Sequence, residues 1–473
     1  MAKAGYEVEV LEKNEQLGGR ARQLVRNGFT FDMGPTWYWM PDVFERFFGD
    51  FNHKPSDYFE LEKLDPGYRV YFGEEDCLDI DADLEKIIST FEEIEQGAGA
   101  QLRKFINKAK QNYKVAIENL VYKPGLRSTE LITKETIGEL NQFIFSISQY
   151  VRRHFKNPKL RQVLEFPVLF LGAKPSNTPL FYSFMNYADF GLGTWYPKGG
   201  MKSVVDGMVE LSKSLGVKFI TNANVEAINT NSQNLIDSLT VNGENHPVEL
   251  LISGADYKHT ESLISAENRV YSEKYWRSRT MAPSALLFYV GFDKKIDNVL
   301  HHTLFFDTAF DEHAKEIYDN PQWPTNPLFY ASFPSKTDLD TAPEGQESAI
   351  FLIPLGADLD DTEEIRDQYF EVIIERLEKL TKQSVRENVI FKQSYSVNDF
   401  KEDYNAFKGN AYGLANTLMQ TAFLRPKLKS KKVKNLFYTG QLTVPGPGVP
   451  PALISGKLVT DLLIKEFNYE SAI

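Results

Sequence analysis

At 473 residues the chain is long enough for two or more domains with separate cores, and 42% hydrophobic with 25% charged residues is a folded rather than a disordered composition. A formal net charge of −12, with no basic patch interleaved with aromatics, excludes a general nucleic-acid binder. Cys77 is the only cysteine, which excludes an intramolecular disulfide and a thiolate zinc cluster and favours a reducing, intracellular setting.

Met1 to Gly5 reads as the end of a helix. Tyr6, Val8 and Val10 then alternate with Glu7 and Glu9, and Leu11 extends the apolar side, as in a short sheet strand. Glu12 closes it. In a doubly wound α/β fold an acid at this place accepts hydrogen bonds from both hydroxyls of an adenosine ribose, although a surface glutamate after any strand looks the same. Gly18-Gly19-Arg20 offers backbone that approaches a pyrophosphate and a guanidinium that bridges its oxygens. The strand and G-x-G-x-x-G turn that precede such a unit in a complete site are not in the sequence.

Phe29-Thr-Phe-Asp-Met-Gly-Pro-Thr36 reads as a strand entering a tight turn, and Tyr68 to Phe72 with Cys77 to Ile80 as a β pair. Residues 83 to 155 read as mostly helical. Within them Leu140, Phe143, Ile144, Ile147, Val151 and Phe155 share one face of a helix ending in Arg152, Arg153 and Lys156. That pattern fits a buried core helix or one lying in a membrane interface. Gly199-Gly200 opens a helix of about fourteen residues to Gly216, followed by a strand at 217 to 221, a meander from Val225 to Val248 and a buried strand ending at Asp256. From Trp276 to Asp399 the chain turns to apolar strands, Ser284 to Phe292, Leu328 to Phe333 and Ala349 to Pro354. They suit a second domain walling a greasy cavity, or simply a core. His301-His302 has no acidic residue at metal-ligand spacing, so no metal site is expected, and there is no G-x-S-x-G elbow or P-loop. No apolar run approaches a bilayer span, and no secretory signal opens the chain. The last segment runs from a strand delivering Gly440 into Pro445-Gly-Pro-Gly-Val-Pro-Pro451 and a final helix, whose dipole suits an anionic reduced flavin.

Glu12 with Gly18-Gly19-Arg20, and Phe437-Tyr-Thr-Gly-Gln-Leu-Thr-Val-Pro-Gly-Pro-Gly-Val-Pro450, resemble the bacterial-type phytoene desaturases, FAD-dependent carotenoid desaturases of the amine-oxidase-like flavoprotein group. Leu160-Arg161-Gln162, Trp195-Tyr-Pro-Lys-Gly-Gly200 and Ser253-Gly-Ala-Asp256 look like the internal markers of that family, in the same order. The resemblance implies an α/β, Rossmann-like FAD-binding domain, incomplete at the N-terminus, over residues 1–75, 199–275 and 425–473. It implies a discontinuous α+β substrate-binding and membrane-associating domain over 76–198 and 276–424.

Carried over, Glu12 holds the ribose, Arg20 with Gly18 and Gly19 the diphosphate, and Val225 the adenine through its backbone. Gly34, Pro35, Thr36, Gly440, Gln441, Gly448 and Val449 line the flavin ring and ribityl chain. Arg161 is the polar residue expected near the reacting atoms. Two departures stand out: Val444 occupies a place where relatives commonly carry histidine, and the missing glycine-rich turn implies a working reading frame that begins upstream of Met1.

The implied reaction introduces double bonds into phytoene, toward neurosporene and lycopene, by removing a hydride and a proton. The substrate is an apolar polyisoprenoid, and the protein is expected in the cytoplasm, peripheral on the inner face of the cell membrane. A desaturase of hydroxylated carotenoids, a carotene isomerase and, from another class, a truncated non-catalytic lipid-binding protein are the alternatives. No acidic, aromatic cage for an ammonium is evident, which disfavours a polyamine oxidase.

Overall fold

The computed structural model, which describes residues 1–127, 130 and 141–470, holds two small parallel strand pairs apart from a large, mostly antiparallel sheet. The parallel part consists of two separate pairs: Glu9–Leu11 with Lys218–Ile220, and Leu251–Ser253 with Leu436–Tyr438. Each strand is only three residues long. Helix Met201–Ser214 leads into Lys218–Ile220, the crossover geometry that parallel strands require. The meander expected after Val225 is present as a three-stranded antiparallel sheet, Val225–Thr230, Ile236–Val241 and Glu244–Pro247.

The second part is a seven-stranded sheet. Its order is Val389–Tyr395, Ser284–Phe292, Glu347–Leu355, Phe329–Ser332, His302–Phe305, Tyr68–Gly73 and Asp76–Ile80; every neighbour is antiparallel except the pair His302–Phe305 with Tyr68–Gly73. All of Ser284–Phe292 is buried, because alternation along a strand sends successive side chains to opposite faces and here both faces are covered. Leu286, Phe288, Val290 and Phe292 pack with Phe370, Ile373, Ile374 and Leu377 of helix Glu363–Thr381. Leu287 and Tyr289 meet Phe29 and Phe31 on the opposite face. The hairpin Gln23–Arg26 and Phe29–Asp32 is thus clamped onto the large sheet, and the chain reaches the Gly34 turn from a rigid support.

Two expectations change. The division at residue 75 falls inside the hairpin Tyr68–Gly73 and Asp76–Ile80, both strands of which lie in the seven-stranded sheet. The amphipathic segment is not one helix: Asn141–Ile144 stops, and Ile147–His154 begins with Ser146 as its N-cap, with a capping box to Gln149. Backbone bonds from Ile147 to Thr178 and from Leu180 to Phe145 fix the break. Ile147, Val151 and Phe155 are fully buried, as a core helix requires, whereas Ile144 is 72% exposed and Phe143 stacks on Phe181 at 4.8 Å. Arg152 is held by Glu165 and Asp311. Leu140 lies outside the described residues.

Candidate active site

Glu12 stands at the end of its strand, and its backbone carbonyl accepts from the Ala223 amide at 2.8 Å. This bond seats the segment leading to Val225 beside Glu12. The Asn14 amide donates to Glu12 Oε1 at 2.8 Å, orienting the carboxylate. Gly18, at φ 111°, and Gly19, at φ 55°, carry the chain into a short 3-10 turn that contains Arg20. The close approach here is that of Gly34, where a Cβ would lie 2.2 Å from the Arg20 carbonyl oxygen; no other residue fits. The turn expected to face a ring and the turn expected to hold a diphosphate are therefore packed backbone to backbone.

The Arg20 guanidinium lies 4.8 Å from the Tyr404 ring centroid, and one of its terminal nitrogens donates to the Asn410 carbonyl at 3.2 Å. Its Nε is buried with no hydrogen-bond partner among the described residues. Burial pulls the guanidinium below its ordinary pKa, while Tyr404 and buried Asp256 act in the opposite direction. Tyr404 also donates to the Gly19 carbonyl at 3.3 Å, and its neighbour Asp403 pairs with Arg22. Asn410 is the junction of the site: its Oδ1 accepts from the Gly413 amide at 2.6 Å and from Gln441 Nε2 at 3.2 Å. One asparagine thus ties the Arg20 loop to the Gln441 loop.

Strand Leu436–Tyr438 continues parallel to Leu251–Ser253, with the Thr439 amide donating to the Ser253 carbonyl at 2.9 Å, and so delivers Gly440 at φ 97°. Ser455, in helix Val449–Glu470, accepts from the Gly440 amide at 2.7 Å and bonds Thr439 Oγ1 at 2.6 Å. The N-terminus of that helix, with Gly448 and Val449, is held against the strand end by this serine.

Beyond Gly34 and Pro35, Thr36 Oγ1 bonds the Tyr330 hydroxyl at 2.8 Å, and that hydroxyl bonds His302 Nδ1 at 2.7 Å. The imidazole of His302 stacks on Trp37 at 4.0 Å with a 9° interplanar angle. Trp37 also meets Tyr68 and Phe166, at 5.4 and 5.8 Å. Burial drives the imidazole of His302 well below its ordinary pKa, so the ring is neutral. Behind it the Tyr68 hydroxyl donates to Asp189 at 2.8 Å, and burial raises that carboxyl to about 7. The wall next to the Gly34 turn is therefore aromatic and, through its imidazole, uncharged.

Arg161 stands elsewhere. Its Nε donates to the Phe155 carbonyl at 2.6 Å and a terminal nitrogen to the Arg152 carbonyl at 3.4 Å, so it closes the end of helix Ile147–His154, and among the described residues no hydrogen bond joins it to Arg20, Asn410 or Gly440. Its bonds give it a capping role at that helix end. Tyr404, Asn410 and Ser455 escaped sequence reading because each acts only once distant segments close. The Gly409-Asn410 and Gly413 cluster was the one local signal of a tight functional turn.

The arrangement defines a dinucleotide-binding oxidoreductase fold. The flavin containing amine oxidoreductase family matches residues 1–464, and the chain belongs to that family. It is 41% identical to a carotenoid 3,4-desaturase of Haloarcula japonica, over 98% of this chain and 95% of that one. It is 31% identical to a 4,4'-diapophytoene desaturase (4,4'-diaponeurosporene-forming) of Staphylococcus aureus, over 99% and 96%. Among solved structures, an oxidoreductase from Methanosarcina mazei superposes with a TM-score of 0.62 at 16% identity, over 98% of this chain and 95% of that chain; it supports the fold. The protein is thus an FAD-dependent oxidoreductase of the Rossmann-like flavoprotein type. The residues present fit that cofactor: beside the side-chain-free backbone of Gly18 and Gly19, the Arg20 guanidinium keeps a buried Nε with no hydrogen-bond partner among the described residues.

Proposed function

We propose that this protein is a carotenoid desaturase that removes hydrogen from adjacent carbons of an apolar polyisoprenoid, phytoene in the first instance, toward neurosporene and lycopene. The observation that carries the reading is the neutral aromatic wall of Trp37, Tyr68, Phe166, Tyr330 and His302, continuous with the Gly34 to Thr36 turn. A polyene has no charge to pair, and such a wall recognises it by shape and apolar contact. The whole-length likeness to named carotenoid desaturases supports it, and the higher identity to a carotenoid 3,4-desaturase favours a second reading, desaturation at C3–C4 of a carotenoid such as lycopene.

In this reading Glu12 accepts from the ribose hydroxyls, Arg20 with Gly18 and Gly19 binds the diphosphate, and the Val225 backbone meets the adenine. Gly34, Pro35, Thr36, Gly440, Gln441, Gly448 and Val449 line the ring and ribityl chain. When bound, FAD supplies the hydride acceptor. The chain's own contribution is to hold Gly34 against Arg20, to keep His302 neutral beside the substrate, and to exclude water with Trp37 and Phe166. The FAD-binding domain draws on 1–75, 199–275 and 425–473 and the substrate domain on 76–198 and 276–424, with Tyr68–Gly73 moved to the latter, whose sheet it joins.

Among the described residues no helix is long and apolar enough to cross a membrane. We propose peripheral contact with the inner face of the cell membrane through Ile144 and Phe145, 72% and 51% exposed, with Met419 and Leu126. Liposome co-sedimentation should weaken in Ile144→Ser with Phe145→Ser; unchanged binding refutes the contact. The function is tested by carotenoid analysis of phytoene-accumulating and lycopene-accumulating cells expressing the chain. New products with longer conjugation support desaturation, and which cell yields them separates the two readings. No change in either, from protein that carries FAD, refutes both.

A further inference from the structure

We propose that Arg425 is the charge that balances the negative charge of the reduced flavin, a role that rests on the proposed function. Arg425 is 1% exposed. One terminal nitrogen donates to the Leu414 carbonyl at 2.9 Å and to Asn416 Oδ1 at 2.6 Å, the other to the Gln441 carbonyl at 3.3 Å, and Nε is buried with no partner among the described residues. All three acceptors are neutral. No carboxylate pairs with Arg425 among the described residues, whereas Arg366, 6% exposed, is held by Asp361, Glu363 and Asp399, and Arg22 and Arg376 are paired with Asp403 and Asp307.

An isolated buried cation is costly, and evolution usually pairs it or replaces it with an apolar group. Its position suggests what compensates it. A Cβ on Gly446 would come within 3.1 Å of an Arg425 terminal nitrogen and of Asn416 Oδ1, so the guanidinium packs directly under the loop from Gln441 to Gly448. That is the loop assigned to the flavin ring. Hydride transfer from a CH–CH unit moves two electrons and one proton onto the oxidised ring and leaves it with one extra negative charge, while the second hydrogen leaves the substrate as a proton to solvent. A fixed cation under the loop that would hold the ring would stabilise that charged form without a further proton. Burial lowers the Arg425 guanidinium only to about 10, so it stays charged at neutral pH.

The test uses the purified, flavin-loaded protein, Arg425→Met and Arg425→Lys, and reads the reduction midpoint by dye equilibration and the affinity for sulfite, which adds to flavins as an anion. In Arg425→Met sulfite affinity should fall about tenfold or more and the midpoint should drop, about 30 mV for each factor of ten in a two-electron couple. Arg425→Lys should stay near wild type in both. An unchanged midpoint in Arg425→Met overturns the proposal and leaves Arg425 as a strut between loops. If Arg425→Met sheds its flavin, Arg425→Lys decides: retained flavin with a wild-type midpoint supports the charge, and lost flavin despite the retained charge overturns it. A wild-type protein without flavin overturns the proposed function and this role together, and is told apart by that control alone.

Discussion

The Arg20 region and the Trp37 wall touch through one turn, yet they are built on opposite principles. Around Arg20 the groups are backbone amides, glycines and a guanidinium, joined by Asn410 into a polar knot. Around Trp37 they are aromatic rings, with a neutral imidazole and a buried phenol to carboxyl pair the main polar features. A dinucleotide carries charge and is recognised by backbone geometry that tolerates no side chain. A polyene carries none and is recognised by surfaces that many residue types can supply. The first kind of site is intolerant of change and the second plastic.

The sharpest way to break this contrast is Gly34→Ala. With a Cβ 2.2 Å from the Arg20 carbonyl, the two turns must separate, and bound flavin in the purified protein should fall by about tenfold or more, a loss of at least ~1.4 kcal/mol of binding. Arg20→Gln should follow, with flavin affinity weaker by about 1.5–3 kcal/mol, the worth of a hydrogen bond to a charged group, measured by titration of the deflavinated protein. His302→Phe, on the plastic side, should leave flavin affinity within about twofold while altering the product distribution, since it keeps the stacking plane on Trp37 and removes the Tyr330 partner.

Asp189 sharpens the contrast by pH. Burial raises its carboxyl from 3.8 to about 7 in the folded protein, so between those values the folded state binds the proton that the unfolded state has released. Its contribution to stability therefore falls as pH rises from about 4 to about 7 and is constant above, by up to about 1.4 kcal/mol per pH unit. Because buried His301 and His313 titrate with the opposite sign over part of that range, the readout is wild type against Asp189→Asn in urea at several pH values. The variant should gain on wild type as pH rises to about 7; a constant difference contradicts the assignment. The smallest effect is expected of Arg161→Ala: about 0.3–1 kcal/mol of stability from the lost helix-end contacts and turnover within about twofold.

These differences also explain what could be read in the sequence. The turns at Gly18, Gly19 and Gly440 were legible because each glycine takes a positive φ, a local demand of the backbone, and the strand ahead of Glu12 was legible from its alternation. Ser284 to Phe292 was legible because an unbroken apolar run fits a strand covered on both faces. The break at Ser146 was written in its own capping box, Ser146 with Gln149, but was hidden by an apolar spacing that runs straight through it. Asn410, Tyr404 and Ser455 were not legible, because each is defined by a partner far along the chain, 390 residues in the bond from Arg20 to Asn410. The capping bonds of Arg161 were hidden for the same reason: a motif position says nothing about which carbonyls a guanidinium will meet.

In the proposed function, a flavin held by the Arg20 knot takes hydride from a polyene lying on the Trp37 wall. This transfer is tested most directly by mixing the flavin-loaded protein anaerobically with vesicles carrying phytoene or lycopene and following the flavin absorbance. The account predicts bleaching of the oxidised flavin band with the appearance of a more conjugated carotenoid in the same reaction. A band that persists with every carotenoid tried, in protein that dithionite reduces normally, would contradict it.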